Sequence, residues 1–171
     1  NAVEAGAILV NDISAGELDA KMSETIASLN VPYIMMHMRG TPKNMQSLTE
    51  YENITLDIAR YFSQKIKTAR ALGIKDIIVD PGFGFAKTTQ QNFTLFKELE
   101  MFKRLLEMPV LVGISRKSMI YKTLGKTPQE ALNGTTALHA IALEKGADIL
   151  RAHDVKEAKE CIQLHLALKN S

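Results

Sequence analysis

Polar and charged side chains gather at the ends of five short apolar segments of this chain. Asn11 follows the first segment, His37 the second, Asp80 the third, Lys117 the fourth and Arg151 the fifth. A carboxylate such as that of Asp80 can accept two parallel hydrogen bonds from a planar pair of N–H groups, as guanidine-like heterocycles present. Lysine and arginine side chains at neighbouring positions suit an anion such as phosphate. The residue types therefore indicate a site for a nitrogen-rich ring and an anionic group.

Structural roles compete with these functional ones. Asp80 can cap the turn that begins at Pro81, and Asn11 can tie its segment to the following loop. Asp12 is interpreted as structural. The serines and cations of segment 115–118 can equally be a helix cap beside surface charges.

A glycine-rich loop follows the third apolar segment and carries two aromatic residues. Gly82 and Gly84 let the backbone turn sharply and approach a ligand closely. An aromatic side chain in such a loop suits the wall of a flat binding pocket, and we expect Phe85 to form that wall and Phe83 to lie in the core. Lys87, just beyond the loop, is expected to be a solvated charge.

The last apolar segment ends in Arg151 and His153. Residues two apart on a strand point to the same side, so the guanidinium and the imidazole can share one anion. A planar arginine can also stack on a flat heterocycle while it holds a phosphate. Asp154 is expected to cap the following helix, and His37 is interpreted as structural rather than as a base.

The apolar segments that end in these residues are continuous rather than alternating, which is typical of strands buried on both faces of a parallel sheet. Stretches with helical periodicity separate them, so the chain repeats a strand and a helix five times. Doubly wound sheets and (β/α) barrels share this pattern, and the lack of a glycine-rich dinucleotide fingerprint after any segment favours part of a barrel. The segments are Ala7–Val10, Pro32–Met36, Asp76–Val79, Val110–Ile114 and Ala147–Leu150.

Apolar residues at helical spacing and local end signals predict the helices. One stripe covers residues 54–72 and ends at Gly73, and a second continues unbroken over residues 95–106. The segment 127–130, Thr-Pro-Gln-Glu, has the hydroxyl, proline and glutamate of a capping box and predicts the start of another helix.

The composition excludes several classes of protein. With 171 residues, of which 46% are apolar, the chain suits one folded domain and excludes wholesale disorder. A net charge of +2 argues against a surface that coats nucleic acid, and no apolar run reaches the roughly 18–20 residues of a membrane helix. The single cysteine, Cys161, excludes an internal disulfide and a cysteine-based zinc site, and it fits a reducing cytoplasm.

Motifs spread over the whole chain resemble those of the dihydropteroate synthase family. They lie at residues 10–14 and 36–40 and, most specifically, at 80–85, 113–118 and 151–155. The resemblance implies an α/β fold, a (β/α)8 TIM barrel of which the chain covers about five C-terminal βα units, strands 4 to 8, as one pterin-binding domain from residue 1 to 171. The implied activity is that of a transferase of folate biosynthesis, which joins 6-hydroxymethyl-7,8-dihydropterin diphosphate to 4-aminobenzoate and releases diphosphate.

The resemblance also implies a role for each site residue. The expected catalytic residues are Lys117 and Arg151. The expected pterin ligands are Asn11, Met36, Asp80, Lys117 and Arg151, the expected aminobenzoate ligands are Gly84, Phe85 and Ser118, and the expected diphosphate ligands are Arg151 and His153. The implied chemistry is dissociative: diphosphate leaves first, and the aromatic amine then attacks a pterin-methyl cation.

The first three units of the barrel have no counterpart in these residues. The resemblance places two mobile loops and the protein ligand of an expected Mg²⁺ cofactor there, and the 171 residues alone are expected to be inactive. The expected partners are the two small substrates and, for the intact enzyme, a second copy, but neither nucleic acid nor a membrane.

Two alternatives remain open. A pterin-binding methyltransferase barrel would explain Asn11 and Asp80, but not the segment 115–118 beside Arg151 and His153. A non-catalytic partial barrel would bind a pterin or a partner chain.

Overall fold

Five short parallel strands form the centre of the molecule. The computed structural model describes residues 2–171. The strands are β1 (Val10–Asp12), β2 (Tyr33–Met36), β3 (Ile77–Asp80), β4 (Leu111–Val112) and β5 (Ile149–Leu150). Each lies within or next to a predicted apolar segment, but β1 begins later than predicted. Residues 7–9 are outside the strand, and Ile8 is 80% exposed.

The strands lie side by side in chain order. β1, β2 and β3 form one parallel sheet, and β4 pairs with β5 in a second. A parallel bridge between Val79 and Val110 joins the two. Because all strands run in the same direction, their carboxyl ends meet at one edge, where the predicted site residues lie. The parallel α/β architecture predicted from the sequence is therefore present.

Helices connect the strands and cover them. They are α1 (Met22–Leu29), a short 3-10 helix (Met45–Ser47), α2 (Ile54–Ala71), α3 (Thr89–Lys97), α4 (Glu100–Leu106), α5 (Ser118–Tyr121), α6 (Leu132–Glu144) and α7 (Val155–Lys169). The predicted end of α2 is confirmed, since Gly73 has a φ of 91° after the last helical turn. No helix within residues 2–171 is long and apolar enough to cross a membrane.

Two predictions about helix boundaries are wrong, and a third holds in part. Residues 95–106 form two helices rather than one, with a break at Glu98 and Leu99. The segment 127–130 is a turn, and α6 begins only at Leu132. Asp154 directly precedes α7, as predicted, but its side chain makes no capping hydrogen bond.

The two faces of β2 have different surroundings. Tyr33 and Met35 belong to the hydrophobic core that packs against the helices, together with Ile58, Phe62 and other buried residues. Successive side chains of a strand point to opposite faces, so Met36 faces the other way. Met36 pairs in register with Asp80 and is fully buried. Both faces of the strand are therefore covered, as its continuous apolar sequence predicts.

Candidate functional site

Asp80 is a fully buried carboxylate at the end of β3. Its Oδ1 accepts a hydrogen bond of 2.9 Å from the backbone N–H of Gly82. Its Oδ2 lies 2.8 Å from Nη2 of Arg151, but without hydrogen-bonding geometry. One oxygen therefore caps the turn, and the other faces the Arg151 guanidinium without an aligned donor, so the structural and the functional interpretations of the sequence are both compatible with this geometry.

Arg151 extends from the end of β5 across the edge of the sheet. Besides its contact with Asp80, its Nη1 lies 3.5 Å from Oδ1 of Asn11, at the long limit of a hydrogen bond. The guanidinium passes over Gly113, where a β-carbon would collide with it. Gly113 therefore has a role that sequence reasoning missed, although a glycine at a strand end is a signal of close approach.

Lys117 lies beside the glycine-rich loop. Its Nζ donates a hydrogen bond to the carbonyl of Phe83 and lies 4.8 Å from the ring centroid of Phe85. Burial lowers the pKa of Lys117 to about 8, although the charge of Asp80 acts in the opposite direction. The side chain is thus a cation that contacts an aromatic ring and a loop carbonyl.

The two aromatic residues of this loop lie as predicted. Phe83 is fully buried in the core, while Phe85 is half-buried and faces Lys117. A β-carbon at Gly84 would lie 3.3 Å from Cδ of Lys117, so the absence of a side chain there leaves the lysine its room.

His153 is held by Ser115, a residue of the segment 115–118 for which the sequence analysis predicted no particular partner. Ser115 Oγ accepts a hydrogen bond of 3.1 Å from the backbone N–H of His153 and lies 3.0 Å from its Nδ1. Arg151, His153 and Lys117 all line one cavity of about 170 Å³. The cavity is completed by Gly113, Ser115 and Ala152.

Two predicted ligands lie at the margin of this arrangement. Met36 has no exposed surface, and its Cγ is 3.4 Å from the position of a β-carbon at Gly82. It supports the loop from below and is not open to a ligand here. Ser118 is half-buried and is the first residue of α5, directly after Lys117.

Arg116 has a structural partner outside the cavity. Its guanidinium binds both carboxylate oxygens of Asp154 at 2.8 Å and donates to the carbonyls of Pro128 and Gln129. This bidentate pair occupies the carboxylate expected to cap α7, which explains why the Asp154 side chain makes no capping hydrogen bond. The pair also fixes the chain next to His153.

Lys87 was predicted to be an exposed loop charge, but it is buried. It is only 3% exposed, and its ammonium group is enclosed by the glycine-rich loop. The expectation of a solvated charge is therefore wrong. His37, in contrast, is buried and packs its ring against Tyr61, in keeping with a structural role.

The described part of the chain contains no group of three or more histidine, cysteine, aspartate or glutamate side chains that could hold a metal ion. At the carboxyl edge of the strands, organic and anionic ligands meet a buried acceptor, three cationic or imidazole groups and one aromatic ring. These groups suit a flat, donor-rich ring at Asp80, an anion between Arg151 and His153, and an aromatic molecule at Phe85.

The chain is similar in sequence to curated dihydropteroate synthases. The dihydropteroate synthase of Synechocystis sp. is 42% identical over 170 residues, which cover 98% of this chain and 58% of that protein. That of Escherichia coli K12 is 38% identical over 161 residues, or 93% of this chain and 56% of that protein. The chain thus spans a little over half the length of these curated relatives.

Solved structures agree in fold. The Yersinia pestis dihydropteroate synthase, solved as a sulfonamide drug complex, superposes with a TM-score of 0.93 at 39% identity, covering 98% of this chain and 61% of that one. The Thermus thermophilus dihydropteroate synthase in complex with 6HMPPP superposes with a TM-score of 0.92 at 32% identity, covering 98% of this chain and 67% of that one.

The family model described as pterin binding enzyme matches residues 1–153. The resemblance inferred from the five motifs is thereby confirmed over nearly the whole chain. Together with an edge of parallel strands that gathers a buried carboxylate and three basic side chains, these matches show that the chain belongs to the family of pterin-binding enzymes.

Proposed function

We propose that the protein to which these residues belong is a dihydropteroate synthase, a transferase of folate biosynthesis. It would join 6-hydroxymethyl-7,8-dihydropterin diphosphate to 4-aminobenzoate and release diphosphate. The observation that carries the proposal is the meeting of Asp80, Arg151 and Lys117 at one edge of the sheet. Each of these side chains suits a different part of the two substrates.

The pterin ring is proposed to bind at Asp80. Oδ2 of this buried carboxylate has no aligned hydrogen-bond donor, and the planar N–H pair of a pterin edge would supply one. Asn11 lies on the neighbouring side of Arg151 and would add a donor and an acceptor. Arg151 would stack on the ring, which requires its guanidinium to leave Asp80.

The diphosphate is proposed to bind between Arg151 and His153, which line the same cavity. As the carbon–oxygen bond breaks, the electron pair leaves with diphosphate, and these two side chains stabilise the negative charge that develops. The amine lone pair of the second substrate then forms the carbon–nitrogen bond, and the amine gives up one proton to solvent.

The aromatic amine is proposed to bind against Phe85, with Gly84 and Ser118 beside it. The ammonium group of Lys117 lies 4.8 Å from the ring centroid of Phe85, and the charge of Asp80 acts on its pKa. It is therefore placed to contact the pterin and the incoming amine together. The same wall would accept sulfonamide drugs, with which the Yersinia pestis relative was solved.

The proposed enzyme is a complete barrel, of which these residues form one part. We assign the five strands to strands 4 to 8 of a (β/α)8 barrel and residues 1–171 to its pterin-binding domain. The described residues do not fit a metal site by themselves, so Mg²⁺ is proposed to be held by the substrate diphosphate and by residues of the first three units.

The intact enzyme is proposed to act as a cytoplasmic homodimer. The buried, unpaired Cys161 is compatible with a reducing compartment. Ile141 on α6 and Leu164 and Leu168 on α7 are exposed and line one apolar depression of the surface. Such a surface suits contact with a second copy. Sedimentation velocity of the protein and of a Leu164→Glu variant tests the dimer.

A diphosphate-release assay on the full-length protein tests the function. Release that requires both substrates and yields dihydropteroate is the expected result. Methyl transfer from a pterin donor would instead favour a methyltransferase barrel. Pterin binding without either reaction would favour a non-catalytic one.

A further inference from the structure

The ammonium group of Lys87 is buried beneath the glycine-rich loop and has three partners. Its Nζ lies 2.9 Å from the carbonyl oxygen of Gly82, 2.8 Å from that of Phe85 and 3.0 Å from Nδ1 of His37. An ammonium group has three N–H donors, so these three acceptors use all of them. A buried lysine is costly to keep, which indicates that this one has a defined task.

His37 provides a fixed point for this arrangement. Its backbone N–H donates to the carbonyl of Asp80 at 3.0 Å, and its ring packs edge-on against Tyr61 with centroids 4.9 Å apart. Burial and the neighbouring positive charge of Lys87 lower its pKa well below the ordinary value. The neutral ring can therefore accept a hydrogen bond from Lys87 at Nδ1.

The loop that Lys87 closes needs such support because its backbone is strained. Ala86 has a φ of 51°, in the left-handed region that is unfavourable for a residue with a β-carbon. Gly82 has a φ of 71°, and a β-carbon there would collide with the carbonyl oxygen of His37. Lys87 holds the loop at Gly82 and Phe85, and the hydroxyl of Tyr51 donates to the carbonyl of Ala86 at 3.0 Å.

The loop in turn sets the position of the groups proposed to receive the aromatic amine. Lys117 donates to the carbonyl of Phe83, one residue from the first anchor of Lys87. Lys87 also donates to the carbonyl of Phe85, and the ring of Phe85 lies 4.8 Å from Nζ of Lys117. Of the proposed pterin ligands, Asn11, Asp80 and Arg151 lie on or directly after strands, and Lys117 is the one that also faces the aromatic ring of Phe85.

We propose that Lys87 is a positioning residue that fixes the loop 82–86 and thereby controls binding of the aromatic amine more than binding of the pterin. This inference rests on the proposed synthase reaction. Lys87 does not touch either substrate, since it lies under the loop. It acts through Phe85 and Lys117.

Other charges near Lys87 support its place in the site. Burial lowers its pKa to about 7, the charge of Asp80 opposes this shift, and those of Lys117 and Arg39 add to it. The ammonium group therefore belongs to the same charged cluster as the proposed substrate ligands.

The test replaces Lys87 with methionine in the full-length protein. Methionine keeps most of the length and removes all three hydrogen bonds, each to a charged donor, so the KM for 4-aminobenzoate is expected to rise by about tenfold or more. The KM for the pterin diphosphate is expected to rise by a clearly smaller factor, because Asn11, Asp80 and Arg151 keep their places on the strands and only the contact of Lys117 is weakened. Lys75→Met, a change at an exposed lysine before β3, is the matched control and leaves both constants unchanged.

Hydrogen exchange provides a readout that does not depend on activity. Amides of residues 82–87 are expected to exchange faster in Lys87→Met than in the unsubstituted protein, with the strands unchanged. If Lys87→Met fails to fold, Lys87→Cys in a Cys161→Ala background is alkylated with 2-bromoethylamine in denaturant and refolded, which restores an ammonium group. The alkylated protein should recover the slow exchange and the low KM.

Three results would overturn the inference. They are an unchanged exchange rate in the loop, an equal rise of both KM values, and no recovery after alkylation of a correctly refolded protein. Failure of the proposed function is distinguishable, because the unsubstituted full-length protein would then form no dihydropteroate. Hydrogen exchange would still decide whether Lys87 holds the loop.

Discussion

A single carboxylate at the end of β3 connects the turn of the glycine-rich loop with the cation that crosses the sheet edge. Asp80 holds Gly82 through Oδ1 and faces Arg151 through Oδ2. The second oxygen has no aligned donor, and a ligand reaches it once the Arg151 guanidinium moves away. An amide in its place would present a donor to the N–H groups of the pterin while the turn keeps its shape.

Asp80→Asn is therefore expected to weaken pterin binding by roughly 1.5–3 kcal/mol, the value of a hydrogen bond to a charged group. Isothermal titration calorimetry with the bare pterin alcohol on the full-length enzyme measures the effect. An unchanged affinity would remove Asp80 from the pterin site. Thermal unfolding of the variant serves as the control, because a loss of the turn would lower its stability as well.

Arg151 and His153 are expected to distinguish the two forms of the pterin substrate. Because both line the cavity proposed for diphosphate, alanine at either position should weaken binding of the diphosphate form much more than binding of the bare alcohol. Calorimetry measures the loss of affinity of each variant for the diphosphate form and for the bare alcohol. Equal weakening of both would indicate a folding defect and contradict the assignment.

The residue types of the site could be predicted from the sequence, but their partners could not. Polar residues after buried strands are a local pattern, which is why Asp80, Lys117 and Arg151 were found. Lys87 looks like any loop lysine, because its acceptors at His37 and Gly82 meet it only after folding. Likewise, no local signal shows that Ser115 accepts from His153, 38 residues later.

At the scale of the elements, Asp12 joins β1 to β2. Its Oδ1 accepts from the backbone and hydroxyl of Ser14, and its Oδ2 accepts from the N–H of Gly16 and, at 2.7 Å, from the hydroxyl of Tyr33. Burial by itself would raise the pKa of Asp12, but these hydrogen bonds outweigh it and hold the pKa below its usual value. The structural role predicted for Asp12 agrees with this arrangement.

Tyr33→Phe removes one hydrogen bond to a charged group and should lower the free energy of unfolding at pH 7 by about 1.5–3 kcal/mol. The pKa of Asp12 is lower in the folded than in the unfolded protein, so its contribution is complete above the unfolded pKa. It is lost as the pH falls through the folded pKa. The cost of Tyr33→Phe should therefore be constant from pH 7 to about pH 5 and shrink at about pH 3.

Urea unfolding at these pH values measures this cost. The same substitution in an Asp12→Asn background is the control, because there it no longer removes a bond to a charge and should cost less. A cost that is the same in both backgrounds would show that Tyr33 acts through packing alone.

Tertiary contacts explain the helix ends that sequence reasoning placed wrongly. Thr127 and Glu130 do bond, but in one direction only, since the N–H and the hydroxyl of Thr127 both donate to Oε2 of Glu130. The carbonyls of Pro128 and Gln129 accept from Arg116. Arg116 thus holds residues 128 and 129 in a turn, and α6 begins only at Leu132. Nor does the segment between residues 95 and 106 contain a glycine or proline that would signal its break.

At the scale of the whole molecule, the five strands form an open arc. β1 and β5 are the outer strands, and within the described residues neither pairs with a further strand on its outer side. A barrel removes its edges by closure, whereas an open arc exposes backbone donors and acceptors at both ends. The exposed apolar side chains of Ile8 and Leu9 lie beside this first edge.

These 171 residues alone are therefore expected to form no measurable dihydropteroate. Asp80, Lys117 and Arg151 would still offer weak binding of a pterin or a phosphate, because their geometry depends on the strands that are present. Turnover also requires loops that exclude water and hold the second substrate, and the proposed barrel places these in its first three units. Diphosphate release by the purified 171-residue chain, compared with the same chain joined to those units, measures the difference. Recovery in the joined protein is the expected result, and full activity of the 171 residues would mean that the strands are not strands 4 to 8 of the barrel.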